Sequence, residues 1–311
     1  MDRSSSPRAL VAGALAATIL LWGGAFAAIR EALPSLGYAN LASGRLALAA
    51  AAFGVVALFA GVRRPQRREL PVLAAMGATG YAGYQLLLSA GEQTVPAGTA
   101  ALLLAIAPVV AAVLAGPLLG ERLGRRGWVG LAVALGGAAL VALSHRGPYG
   151  AGLGGAALVA AAATVYAVWI VLQKRALRSM SPLHATTWAT WMGALIALPF
   201  GHALPASLGH ASGGGIAALL VLGLVLSTVP FLLWAWVLAR LPASVAAPAL
   251  LMIGPAGVLM GWMLLGEQPA ALALVGGAVT LAGVAAVVLP GPLRLRPRLA
   301  PVVRTPAPQH A

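Results

Sequence analysis

Val95-Pro96-Ala97-Gly98-Thr99-Ala100-Ala101 returns, lightly altered, as Leu241-Pro242-Ala243-Ser244-Val245-Ala246-Ala247. Pro242 follows Pro96 by 146 residues, and Gly266-Glu267 follows Gly120-Glu121 by the same interval. Gly130 and Gly137 recur in that register as Gly276 and Gly283, while Pro108 and Pro255 match with a slip of one residue. Isolated small-residue matches are common in Ala- and Gly-rich sequence. One offset held across two apolar segments and the loop between them marks an internal duplication.

The duplicated unit is built for lipid. Of 311 residues, 60% are hydrophobic and 8% charged, whereas a soluble domain carries about a quarter charged residues. Uncharged runs occupy 9–29, 38–62, 70–90, 96–119, 128–143, 152–172, 183–203, 216–239, 243–265 and 271–289. Their lengths suit a helix, which needs about 20 residues to cross a hydrocarbon core of about 30 Å. They are apolar on all faces, unlike the alternating strands of a membrane barrel. The expected fold is all-α, with ten transmembrane helices in two inverted five-helix repeats. Residues 1–8 form a cytoplasmic N-terminus, 9–145 the first repeat, 150–290 the second, and 291–311 a disordered basic tail. Ala25-Phe26-Ala27 has the form of a signal-peptidase site, but the repeat requires the first helix, which is expected to be retained.

Charge sets the orientation. Seventeen Lys and Arg residues fall on one side of these spans, in the clusters around 3–8, 63–68, 122–126, 174–178, 240 and 294–304. The other side has only Arg30 and Arg146, and Arg45 lies within a span. Both termini are therefore expected in the cytoplasm. The first-repeat loop at 120–126 is basic, whereas its copy at 266–270 has no basic residue. Five helices per half force the second copy to enter upside down, and this symmetry characterises secondary transporters. The net charge of +14 is a topology signal and not the stripe of a nucleic-acid binder. The absence of Cys excludes disulfides and thiol chemistry.

Leu21-Trp22-Gly23-Gly24-Ala25-Phe26, Arg45, Pro108, and Gly120-Glu121-Arg122-Leu123 followed by Trp128 and Gly130 form a recognisable order. The second half adds Trp234, Pro255 and Gly266-Glu267. Together they resemble the EamA family of the drug/metabolite transporter superfamily. The resemblance implies a ten-helix exporter of the bacterial inner membrane. In that fold, helices one to four and six to nine surround a central cavity, and helices five and ten are peripheral. The second repeat departs from the pattern by reading Gly-Glu-Gln-Pro at 266–269.

The six acids, Asp2, Glu31, Glu69, Glu92, Glu121 and Glu267, all lie at or outside span ends. Ion-coupled carriers commonly use an intramembrane carboxylate. Its absence at mid-depth points to neutral or zwitterionic substrates, such as amino acids, and to weakly coupled flux. Arg45 sits roughly 10 Å inside its span. It either snorkels outward, with Glu31 or Glu92 as partner, or faces a cavity and attracts a substrate carboxylate. The cavity candidates are Trp22, Arg45, Tyr81, Tyr84, Gln85, Tyr166, Trp169 and Trp234, together with Trp236; Tyr84 and Gln85 stand out, because an amide at mid-membrane needs a partner. Trp188 and Trp191, near a span's start, are expected to anchor at the interface. Pro108 and Pro255 are candidate hinges, or static kinks. Glu121 and Glu267 are structural turn residues, each able to accept from the first free amides of the helix that follows.

No cofactor or metal site is expected. The partners are a small-molecule substrate and membrane lipids, with no nucleic acid, and two fused repeats can complete a cavity within a monomer. A hydrolase would need a buried nucleophile and base. Ser43 and His184 have no Asp partner in the membrane, and no His-Glu-x-x-His motif occurs. A receptor or assembly subunit would differ by showing no flux.

Overall fold

A computed structural model describes residues 7–94, 104, 106–121, 123–144, 153–265 and 270–288. The first copy of the repeated motif, Glu267 and the basic tail lie outside these residues. Among the described residues the regular structure is entirely helical. Helix α1 (Pro7–Leu36) meets α2 (Tyr38–Ala60) at Gly37, whose φ of 72° is open to glycine at little cost. Helix α3 (Leu70–Met76) passes through a π-helical stretch, Gly77–Gly83, into α4 (Tyr84–Gly91). Then come α5 (Ile106–Leu119), α6 (Arg125–Ser144), α7 (Leu153–Ala176), α8 (Pro182–Ala197) and α9 (Leu204–His210). Helix α10 (Gly213–Leu220) passes through a second π stretch, Val221–Leu226, into α11 (Val229–Arg240). Helix α12 (Ala243–Ala249) joins α13 (Ile253–Leu265) through a 3-10 turn, Leu250–Met252, and α14 (Ala271–Val288) follows.

Among the described residues four helices are singly long and apolar enough to cross a membrane: Arg8–Leu36, Tyr38–Ala60, Gly154–Ala176 and Gly213–Arg240. The pair Pro182–Gly201 and Leu204–His210, bent by 71°, is a fifth candidate. Leu58 and Phe59 stand 82% and 87% exposed, as side chains facing lipid would. The chain is a multi-pass helical membrane protein.

Several expected straight spans are interrupted, each for a local reason. Against Gly80, an added Cβ would fall 2.1 Å from the Trp169 indole. The bulk of Trp169 is admitted where the helix widens into its π form. Pro255 has no N–H to offer one turn back, and the turn before it tightens into the 3-10 form. Gly77 and Gly223, 146 residues apart, both lie in π stretches. The irregularities thus follow the register of the sequence repeat.

The halves meet most closely along α6 and α14. A Cβ on Gly137 would lie 2.3 Å from Thr280 N, and one on Gly283 would lie 2.3 Å from Ala134 N. The backbones touch there, as small residues allow in membranes.

One end of the bundle is tied by polar groups. Lys174 Nζ donates to Leu238 O at 2.6 Å and also to Leu241 O. Arg178 Nη2 donates to Leu119 O at 2.8 Å. Glu121 Oε2 accepts from Ser244 N at 3.0 Å. The sequence reading placed this carboxylate on the helix following its own loop. Instead it serves α12 in the other half, whose N-cap, Pro242, has no side-chain acceptor to offer. Trp188 Nε1 donates to Arg63 O and Trp191 Nε1 to Ala50 O, at 3.0 and 2.9 Å. Both indoles spend their polar edge on backbone carbonyls of the first half.

At the same end Glu69 pairs with Arg63, accepts from Gln66 N at 2.8 Å, and lies 3.6 Å from His184 Nε2. The Arg63 guanidinium holds the Glu69 carboxyl down at about 2. A depressed carboxyl stabilises the fold above its unfolded value of 4.5, and that contribution is lost as pH falls towards 2. The thermal midpoint of purified protein should therefore drop across that window, and drop less in E69Q. Equal slopes would show that the pair contributes nothing.

Candidate functional site

A cavity of about 100 Å³ lies between the two halves. Trp22, Phe26 and Ile29 of α1 form one wall, and Tyr166 of α7 and Phe231 of α11 another. Leu250 and Leu251, in the 3-10 break before α13, close a third side. A discontinuous helix beside a central cavity is a recurrent feature of carriers.

The polar groups gather on α2 and α4. Arg45 is 3% exposed yet lines the cavity with Tyr84 and Gln85. Its Nε donates to Ser227 Oγ at 3.0 Å, and its Nη1 donates to Gln85 Oε1 at 2.9 Å. Both partners are neutral, so the guanidinium keeps its full charge in a largely apolar enclosure. Such a group is anion-seeking, because neither side chain it bonds carries a countercharge. Around it the rings interlock: Tyr84 and Tyr166 lie 4.7 Å apart, and Trp22 and Phe231 5.2 Å apart. Their faces suit an apolar side chain or a cation. Among the described residues no group of three or more acids or histidines could hold a metal ion.

Residues 9–143 and 153–289 each match the model of the EamA-like transporter family. The chain belongs to that family. It is therefore a transporter and not an enzyme. A "probable terminal-alkyne amino-acid exporter" of Streptantibioticus cattleyicolor is 40% identical over 271 residues, covering 87% of this chain and 91% of that protein. The "uncharacterized transporter YdfC" of Bacillus subtilis is 30% identical, covering 85% and 86% of the two chains. A crystal structure 20% identical superposes with a TM-score of 0.71 over 90% of this chain and 97% of that one, which shows a shared fold.

Of the residues singled out in the sequence, Trp22, Arg45, Tyr84, Gln85 and Tyr166 line the EamA cavity, and so does the hinge candidate Pro108. Arg45 does not snorkel; it points inward to its two neutral partners. Tyr81, Trp169 and Trp234 are corrections. All three are essentially unexposed and none lines the cavity. Tyr81 stacks on Phe231 at 4.8 Å and meets Trp169 edge-on at 5.9 Å, forming a second aromatic layer behind the first. Trp169 Nε1 and Trp234 Nε1 are buried without a hydrogen-bond partner. The Tyr81 hydroxyl faces Thr186 and Thr190 without a hydrogen bond of normal geometry. Further towards the tied end, both amide atoms of Gln173 and the hydroxyls of Thr186 and Thr187 are likewise buried and unpartnered.

Pro255 sits in the first turn of α13, where a missing N–H costs the helix little. Its effect is the 3-10 break and not a mid-helix kink. Sequence reasoning missed Phe231 and Ser227. Phe231 lies one turn from the chosen Trp234, and helical spacing would have found it.

Proposed function

We propose that the chain exports small neutral or zwitterionic metabolites, amino acids foremost, across the bacterial inner membrane by alternating access. The proposal includes ten spans in two inverted five-helix repeats, with both termini cytoplasmic. One observation carries the substrate class: a cavity-lining guanidinium with neutral partners beside aromatic walls, which offers a seat for a carboxylate and an apolar side chain. The volume suits a small amino acid, and the relative named for terminal-alkyne amino acids agrees in class. Support for alternating access comes from the paired π stretches and the helix break at the cavity.

The test is export of L-propargylglycine, the simplest terminal-alkyne amino acid. Cells preloaded with it should release it several-fold faster when they express the chain than when they do not. If release of propargylglycine and of a panel of apolar amino acids is unchanged by expression, the reading fails. A receptor or assembly subunit would give that negative result.

A further inference from the structure

An amino acid seated with its carboxylate on Arg45 still needs a partner for its ammonium, and among the described residues no acid lines the cavity itself. The cavity-facing side of α4 leads to one. Gln85 and Leu88 both line the cavity, and Glu92 follows four residues after Leu88, immediately past the end of α4. On a helix the three positions fall within about 60° of one another, with Glu92 roughly 10 Å above Gln85. Glu92 therefore stands at the rim over the polar corner of the cavity.

Its surroundings are unusual for a carboxylate. Glu92 Oε1 is buried without a hydrogen-bond partner. Arg45 acts on it electrostatically, yet the two form no ion pair, and two of the five Arg45 N–H donors go to Ser227 and Gln85. Arg45 and Glu92 thus attract one another without sharing a hydrogen bond. Among the described residues the charged or titratable groups facing Glu92 are Arg45 on α2, Arg30 on α1 and Tyr84 on its own helix. From α7, which packs closely on Gly91 through Gly155 and Val159, no charged residue faces it; the first on that helix is Lys174, at the tied end.

We propose that Glu92 binds the substrate's ammonium while Arg45 binds its carboxylate, and that a proton competes with the ammonium at Glu92. The ligand class is then the free α-amino acid with both termini unmodified. One ammonium leaves as one proton binds the carboxylate, the proton coming from bulk water at the rim. Export driven by proton entry follows from that exchange, in place of the weakly coupled flux expected from the lack of a mid-membrane acid. Burial, opposed by Arg45 and Arg30, pushes Glu92 up to about 7, where the exchange would be reversible. The proposal rests on the reading of this cavity as an amino-acid site.

The test is equilibrium binding to the purified full-length chain in lipid nanodiscs, with L-propargylglycine and its N-acetyl derivative as probes. Wild type should bind propargylglycine about tenfold tighter at pH 8 than at pH 6, because Glu92 is ionised at the higher pH. It should also prefer the free amino acid to the N-acetyl form by at least about tenfold. E92Q should lose both the pH dependence and the preference while binding the N-acetyl form as wild type does, which shows that its fold is intact. E92D should keep both. If E92Q retains the preference or the pH dependence, Glu92 has no such role, although the transport reading survives. If wild type binds neither propargylglycine nor leucine at any pH, the transport reading falls and takes this proposal with it.

Discussion

Replacing Arg45 with glutamine is expected to weaken binding of a free amino acid by roughly 100-fold, the scale seen when one partner of a buried charge pair is truncated. The methyl ester of the same amino acid should be almost unaffected. In wild type the ester should bind far more weakly than the acid, and in R45Q that difference should vanish. R45K keeps the charge but not the planar fork that reaches Ser227, Gln85 and substrate together, and should fall between the two. A purely structural Arg45 would lower protein yield and melting temperature in all variants and leave the acid-to-ester ratio where it was. That ratio is the deciding measurement, made on protein that elutes as a single species.

Gly137→Leu is expected to be the most damaging single change to the fold. The new side chain would begin 2.3 Å from Thr280 N, and neither backbone can retreat without separating α6 from α14. Overpacking in an adaptable core costs about 1–3 kcal/mol; here the obstacle is backbone, so a loss of at least about 3 kcal/mol is expected. The neighbouring residue supplies the control. A Cβ on Gly136 meets nothing within 4 Å, so Gly136→Leu should melt close to wild type. If the two variants melt alike, the closeness of α6 and α14 is not what holds the halves together.

Much of this was legible in the sequence, and what escaped did so for physical reasons. The duplication, the helical class and the family were readable from spacing, since they depend on order along one chain. Arg45, Gln85 and Tyr84 were readable because polar groups stand out in an apolar span. Phe26, Leu250 and Leu251 could not be separated from lipid-facing residues, because these helices are apolar on every side. Tyr81 and Tyr84 would share a face in a regular helix, but the π stretch widens the turn between them and moves Tyr81 behind the wall. Trp169 was misplaced for a related reason. Its site is the notch at Gly80, and no single sequence shows which tryptophan meets which glycine.

The unpartnered layer behind the cavity bears on how the protein can move. Trp169, Gln173, Thr187 and Trp234 bury polar atoms without a hydrogen-bond partner, and the Tyr81 hydroxyl meets Thr186 and Thr190 only at poor geometry. Each such atom costs about 1–3 kcal/mol while it stays unpartnered. A rearrangement that gives these atoms hydrogen-bond partners would recover part of that energy. The recovered energy offsets the loss of the bonds made by Lys174, Arg178 and Glu121. A carrier cycles quickly only when neither of its closed forms is a deep well. Leaving these side chains thirsty is one way for the sequence to keep this well shallow.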